Sequence, residues 1–298
     1  MCGTSGASRT VVEDVILLHM QPSQEVINRW SDVAPLWEKY RPIIRQMFAP
    51  VTQALVEDGL IRSGHAVLDI ATGPGEPACT IAPLVGPEGR VFGIDPVLEM
   101  VEAARREADR LGLKNAQFEV APADQLPFPA NTFAAAVSRF GVMFFPSPVA
   151  AVREILRVLK PGGTLALAVW HLAEKNPFFY TLSSLIGQYV DSPPPAPDAD
   201  PFRFATPGML RDILAEAGVL APCERVLQFT IAAPISVEDF WTLRMEMSES
   251  LRQKVSMLSA EQLTEVKRLA LEALREHSAH HRMSFPAEVL IVSGSKRG

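Results

Sequence analysis

Between His65 and Trp170, short apolar runs alternate with stretches that are apolar at every third or fourth position. A short apolar run bounded by turn residues reads as a buried strand, and the longer period as a helix with one covered face. Strands are predicted at Ala66–Ile70, Arg90–Ile94, Ala116–Val120, Phe133–Ser138 and Thr164–Trp170. After the first, Pro77 falls near the start of a helix that ends by Gly86. After the second, Val97, Met100, Val101, Ala104 and Ala108 share one helical face before Gly112. Ser147-Pro148 reads as an N-cap and first-turn pair for a helix over Val149–Leu159. Lys160-Pro161-Gly162-Gly163 then ends it and turns into the fifth strand. This alternation is the mark of a parallel sheet covered on both faces.

Outside that stretch the pattern changes. Residues 1–20 read as a loose tail, and Gln24–Leu60 as two or three helices broken near Pro42 and Pro50. His171–Ala205 is an insertion with an aromatic cluster (Phe178, Phe179, Tyr180) and a proline run at Pro193–Pro197. Thr206-Pro207 caps a helix over Gly208–Ala217 that Gly218 stops. A sixth strand is predicted at Arg225–Ile231, a long helical stretch over Val237–Ala279, and a last strand at Glu288–Ser293. The expected organisation is an N-terminal helical lid (1–60), a ligand-binding core (61–170), a lid insertion (171–205) and a completion of the sheet (206–298) that carries a helical insertion at about 236–283. Ligands of parallel α/β sheets bind beyond the carboxyl ends of the strands, where these pieces would cover an apolar cavity.

Composition narrows the setting. With 298 residues, 48% hydrophobic and 21% charged, the chain has material for a sizeable core. A formal net charge of −6 argues against non-specific binding to nucleic acid or an anionic membrane. Cys2, Cys79 and Cys223 match neither a zinc nor a disulfide spacing, so a reducing cytoplasm is the default. No apolar run approaches the ~20 residues of a membrane span. The opening MCGTSGASRT lacks a secretory pattern. A soluble, cytoplasmic protein is expected.

The densest chemistry lies at Val67–Ala78, VLDIATGPGEPA, where an apolar run ends in Asp69 and small residues form a tight turn that opens a helix. Twenty positions after Gly75 stands Asp95, closing VFGID. In a βαβ unit such a turn lets a ligand approach the backbone, and an acid ending the next strand can hold a ribose diol. A third signature, LKPGGTLALAVW, covers Leu159–Trp170. Together these resemble the class I S-adenosylmethionine-dependent methyltransferases, of the branch with the ubiquinone/menaquinone-type and many natural-product enzymes. The resemblance is strong over about residues 60–170. It implies a Rossmann-like, doubly wound, mostly parallel seven-stranded sheet with an antiparallel last strand, S-adenosyl-L-methionine as cofactor, and a small-molecule substrate. A homodimer is the candidate assembly, with neither nucleic acid nor membrane as partner.

The resemblance also assigns residues. The turn Ala71, Thr72, Gly73 and Gly75 supports the methionine moiety, with Asp69 organising the loop or reaching the amino group. Ala71 stands where the family more often has glycine. Asp95, with Pro96 beside it, is the ribose ligand, and Met100 packs on the adenine or simply in the core. Ala121–Phe128, APADQLPF, is similar to the family segment that supplies adenine edge contacts, through Ala123, Asp124 and Gln125. Pro122 stands where that segment has its aspartate, and Asp124 is the candidate substitute. Arg139 anchors an anionic substrate or the cofactor carboxylate, or forms a surface ion pair. Tyr40, near Trp30 and Trp37, closes over the cofactor. His171, directly after strand five, is the candidate general base.

Methyl transfer is an in-line displacement at a carbon already activated by positive sulfur, so the protein mainly aligns the partners and excludes water. A metal-independent reaction is expected, since the acidic cluster of Mg²⁺-dependent relatives is absent. The Asn/Asp-Pro-Pro-aromatic motif of nucleic-acid enzymes is absent too. The aspartate/asparagine-rich pattern that quinone-biosynthesis members carry before the cofactor loop is not found in Gln24–Arg62. His277, His280 and His281 have i, i+3, i+4 spacing, which reads as a solvated helix end. Two other classes compete: a nucleotide-cofactor oxidoreductase, disfavoured by Ala78 and the crowding of Glu76-Pro77, and a cofactor-binding protein without catalysis. Oxygen, carbon and nitrogen acceptors all stay open.

Overall fold

A computed structural model describes residues 24–191 and 196–298, and the side chains of Glu25 and Asp198 are excepted. The loose tail expected at residues 1–20 and the prolines at 193–195 lie outside them. The core alternates as its apolar periods require. β1 (Ala66–Ile70), β2 (Arg90–Asp95), β3 (Ala116–Val120) and β4 (Phe133–Arg139) are parallel and nearly coincide with the predicted strands. β5 runs over Leu159–Trp170, also parallel to β4. It begins five residues before the predicted Thr164, because Leu159 already pairs with Phe133 before a register shift. Lys160–Gly163 therefore belongs to an irregular strand start.

β6 (Leu220–Ala233) and β8 (Arg282–Ser295) are much longer than their apolar runs, and β7 is the two-residue Ser278–Ala279. The order is β3-β2-β1-β4-β5-β8-β6, with β7 paired to β8. β8 is antiparallel to both β5 and β6. This is the doubly wound, mostly parallel seven-stranded path with its last strand reversed.

Two helices precede the sheet. α1 (Gln24–Met47) runs straight through Pro35 and Pro42, so the predicted break at Pro42 does not occur. An interior proline removes one helical hydrogen bond, and here packing along one whole face of the helix outweighs that loss. α2 (Ala49–Asp58) carries Pro50 in its first turn, where the missing N–H is harmless. α3 (Ala78–Val85) follows β1 and stops at Gly86. α4 (Leu98–Leu111) buries the expected face and ends at Gly112. α5 (Pro148–Val158) has Ser147 at its N-cap position, although the hydroxyl makes no capping bond.

α6 (Pro177–Ile186) holds the aromatic cluster. In α7 (Met209–Ala217) the N-cap is Gly208, not Thr206, and its N–H donates to Glu224 Oε1. The long helical stretch is three helices: α8 (Val237–Met247), α9 (Glu249–Ser256) and α10 (Ala260–Arg275). Ser248 and Ser259 restart it, each accepting a backbone N–H in the new first turn. The helical face assumed for the histidines is absent as well. The chain leaves the helix at Arg275, and His280 and His281 sit at positive φ in the β7–β8 hairpin. His277 instead lies against the Phe285 ring at 4.7 Å. Among the described residues, no helix is long and apolar enough to cross a membrane.

Candidate active site

A cavity opens at the carboxyl ends of β1, β2 and β4, with about 1290 Å³ of empty space including its mouth. Its floor is the β1 turn. Asp69 is fully buried, and its Oδ2 accepts from Thr72 Oγ1 at 2.6 Å and from the Ala78 N–H at 2.9 Å. Asp69 therefore ties both ends of the turn together and does not itself line the cavity; its Oδ1 has no partner. Burial pushes its carboxyl up to about 7.

Ala71, Thr72 and Gly73 line the cavity. Ala71 sits at φ +55°, the left-handed region where glycine is free and alanine is strained. Its methyl fills the space in front of Gly141, where a Cβ would meet it at 2.5 Å. Gly75 does not line the cavity. Its φ of +104° and the 3.2 Å distance from a virtual Cβ to the Ala104 backbone make it the point where α4 packs on the turn.

Asp95 ends β2 inside the wall, buried, with Oδ2 accepting from the Gly73 N–H and Oδ1 from the Val97 N–H, both at 3.0 Å. Each oxygen keeps lone-pair capacity for a hydroxyl. Burial raises this carboxyl to about 6. Pro96, Met100, Pro122, Ala123 and Asp124 continue the same wall. Asp124 Oδ2 is sealed from water without a partner, and burial raises its pKa. It is an acceptor waiting for a donor. Gln125 is exposed on the outside of that turn and lines nothing.

The opposite wall is α1. Val26, Ile27, Trp30, Trp37, Arg41, Ile44 and Arg45 face the cavity, followed by Phe48 after the helix. Their spacing is one helical stripe. Tyr40 falls beside that stripe and turns away, its hydroxyl donating to Glu246 Oε2 at 2.7 Å. Tyr40, expected to close over the cofactor, does not line the cavity here. Arg41 lines the cavity and ties α1 down: Nε donates to Pro74 O at 3.1 Å, Nη2 to Ala103 O at 2.9 Å and Nη1 to Glu107 Oε2 at 3.1 Å. It joins α1, the β1 turn and α4. Sequence reasoning missed this pair, although Glu107 shares the buried face of α4 with Met100, Ala104 and Ala108. An acid on an apolar face was the available signal.

At the end of β4, Arg139 lines the cavity, with Nη1 donating to Thr52 Oγ1 at 2.8 Å and its guanidinium 6.0 Å from the Phe48 ring centre. Burial lowers its pKa, opposed by Glu76 and Asp69. Phe140, strained at φ +63°, stacks on Trp170 at 4.2 Å. His171 leaves the site. The sheet order turns the end of β5 toward β8, and His171 Nδ1 lies 3.0 Å from Glu288 Oε2, outside the cavity wall. Nor do the described residues of 171–205 or 236–283 line the cavity; Phe178, Phe179 and Phe240 among them pack in the aromatic layer behind it. Cys79 is a packing residue whose thiol burial pushes up to about 12.

Comparison with known proteins agrees with this geometry. A methyltransferase-domain family model matches residues 67–163. The ubiquinone/menaquinone biosynthesis C-methyltransferase UbiE of Pasteurella multocida is 31% identical over 187 residues, covering 59% of this chain and 68% of that protein. The UbiE of Pseudomonas putida is 44% identical over 174 residues, covering 53% and 66%. The chain thus spans about two thirds of the length of these relatives. Among solved structures, the YcgJ protein of Bacillus subtilis superposes with a TM-score of 0.53 at 20% identity, covering 83% of this chain and 98% of that one, a likeness in fold alone.

Proposed function

The chain belongs to the class I S-adenosylmethionine-dependent methyltransferases, and from that premise we propose that it methylates an oxygen or carbon of a small, largely apolar molecule held beneath α1. The cofactor, when bound, supplies a methyl group on positive sulfur. The residues of this chain do the rest. Asp95 carries the reading: a buried carboxylate in the cavity wall, each oxygen oriented by one backbone N–H and open to a ribose hydroxyl. Asp124 offers the orphaned acceptor that an exocyclic amine needs, standing in for the aspartate that Pro122 replaces. Thr72 and Gly73 bring backbone to the methionine end, and Asp69 holds them there. Trp30, Trp37 and Phe48 exclude water and align the acceptor, which is the protein's main part in such a displacement.

Both named relatives are C-methyltransferases, which favours a carbon acceptor. The covering role belongs to α1, while 171–205 and 236–283 brace it. Among the described residues Cys79 and Cys223 are free, which suits a reducing cytoplasm. A net charge of −6 disfavours nucleic acid, and a homodimer is compatible with the exposed β6 edge.

Calorimetry with S-adenosylhomocysteine tests the site. Asp95→Asn should weaken binding by about 10²-fold or more, since charged hydrogen bonds contribute ~1.5–3 kcal/mol each. Unchanged affinity in a folded Asp95→Asn protein would remove Asp95 from the site. Comparing small-molecule metabolites with and without the protein then identifies the acceptor.

A further inference from the structure

Among the described residues three arginines line the cavity, and two of them face acids. Arg41 is held by Glu107, and Arg45 Nε lies 3.3 Å from Glu76 Oε1. Arg139 is different. Its Nη1 donates to Thr52 Oγ1 at 2.8 Å, and its guanidinium makes no other hydrogen bond or ion pair among the described residues. Nε and Nη2 keep accessible surface, in a side chain that belongs to the cavity wall. Burial outweighs the pull of Glu76 and Asp69 on its pKa, so the charge is under-compensated. Arg244 also lacks an acid, but it lies against the Phe178 and Phe179 rings at 4.7 and 4.8 Å, outside the cavity wall.

Sheet order places Arg139 relative to the cofactor. Asp124 follows β3, Asp95 ends β2, the Ala71–Gly73 turn follows β1 and Arg139 ends β4, in the spatial order β3-β2-β1-β4. A cofactor held at the first three strand ends leaves the fourth to the acceptor. There the Arg139 guanidinium has the Phe48 ring at 6.0 Å, and Phe48 packs on Phe140 at 5.4 Å.

The same lining is poor in bases. Among the described residues it contains no histidine, lysine, tyrosine or cysteine. Its acids are Glu76, Asp95 and Asp124, and the last two serve the cofactor. Glu76 is occupied: Oε2 accepts from Thr80 Oγ1 at 2.7 Å, and Oε1 is sealed from water beside Arg45. An acceptor that needs a base to remove its proton finds none here.

We propose that the acceptor is an apolar acid that reacts as its anion, with the anionic oxygen held on the free N–H groups of Arg139. This rests on the methyltransferase reading and names its substrate class. The acid loses its proton to water before transfer. The oxygen, or a carbon conjugated to it, then supplies the electron pair of the new bond to the methyl carbon, and the pair of the breaking S–C bond goes to sulfur. Arg139 orients the anion by charge-assisted hydrogen bonds.

Calorimetry on protein saturated with S-adenosylhomocysteine tests this, comparing 4-nitrophenolate with 4-nitroaniline and 2-naphthoate with 2-naphthamide at a pH where both acids are ionised. In at least one pair the anion should bind about tenfold or more above its neutral analogue. The pair that does so tells a phenolic or enolic acceptor from a carboxylic one. Arg139→Gln should abolish the preference with S-adenosylhomocysteine affinity retained, and Arg139→Lys, which keeps the charge, should retain part of it. Anions that bind no better than their neutral analogues in the wild-type protein overturn the proposal, a comparison that stands even if Arg139→Gln fails to fold. A preference that survives Arg139→Gln overturns it too. So does a folded Arg139→Gln protein that has lost S-adenosylhomocysteine affinity, because Arg139 then holds the cofactor carboxylate. Failure of the wild-type protein to bind S-adenosylhomocysteine overturns the methyltransferase reading and this proposal with it.

Discussion

The two walls of the cavity are built on different length scales. On the sheet side, Asp69 bonds to residues three and nine positions away, and Asp95 to residues two and twenty-two away. On the helical side, the ties are long: Tyr40 to Glu246 across 206 positions, Arg139 to Thr52 across 87, Arg41 to Glu107 across 66. The first wall is a property of one βαβ unit. The second exists only when distant segments are already docked. Perturbing the sheet wall should therefore change ligand binding with little change in fold, and perturbing the helical wall should change stability first.

The largest effect is expected at Arg41. Its side chain is buried and pairs with a buried acid, and breaking such a pair costs ~3–5 kcal/mol, toward the low end here because Arg110 still holds Glu107. Arg41→Met should lower stability by about 3 kcal/mol in urea melts and speed amide exchange across Gln24–Met47. If exchange in α1 stays unchanged, the helix is held by its apolar stripe alone.

On the sheet wall, pH should act through Asp95. Its carboxyl, at about 6, is raised from 3.8 by burial, so affinity for a ribose-bearing ligand should fall below pH 6, by as much as ~1.4 kcal/mol per unit. In the free protein the sign reverses. Asp69 at about 7 and Asp95 at about 6 bind more protons folded than unfolded, so their contribution to stability declines as pH rises from about 4 to 7. Calorimetry and melting across that range should show the opposed slopes, and Asp95→Asn should flatten the first.

Tyr40→Phe separates the walls at smaller scale. Losing the bond to Glu246 should cost about 1 kcal/mol of stability and leave S-adenosylhomocysteine affinity untouched. A large loss of affinity would restore Tyr40 to the site. Smallest of all is Ala71→Gly. Relief of the left-handed conformation, ~1 kcal/mol, opposes loss of the methyl packed on Gly141, so the melting temperature should move little.

Much of the sheet wall was legible residue by residue. Ala71, Thr72, Gly73, Asp95, Pro96, Met100, Ala123, Asp124 and Arg139 all line the cavity, because strand, turn and helix-start chemistry are local. Asp69 and Gly75 support it from behind. Tyr40, Gln125 and His171 were misplaced, each by orientation: one residue off a helical stripe, one on the outer side of a turn, one carried to β8 by strand order. Arg41 and Arg244 went unread, since a basic residue within a helical run looks the same whether it faces water, a buried acid or aromatic rings.

The sequence by itself determined the doubly wound core, the strand-end acids and the turn, because those depend on apolar period and on contacts within about thirty residues. The full length of β8, the passage of α1 through Pro42 and the aromatic layer around Arg244 were decided only in the tertiary structure. They rest on pairings between segments a hundred or more residues apart, whose energies no local pattern carries: Asn176 against Glu288, Tyr40 against Glu246, Phe48 against Phe178.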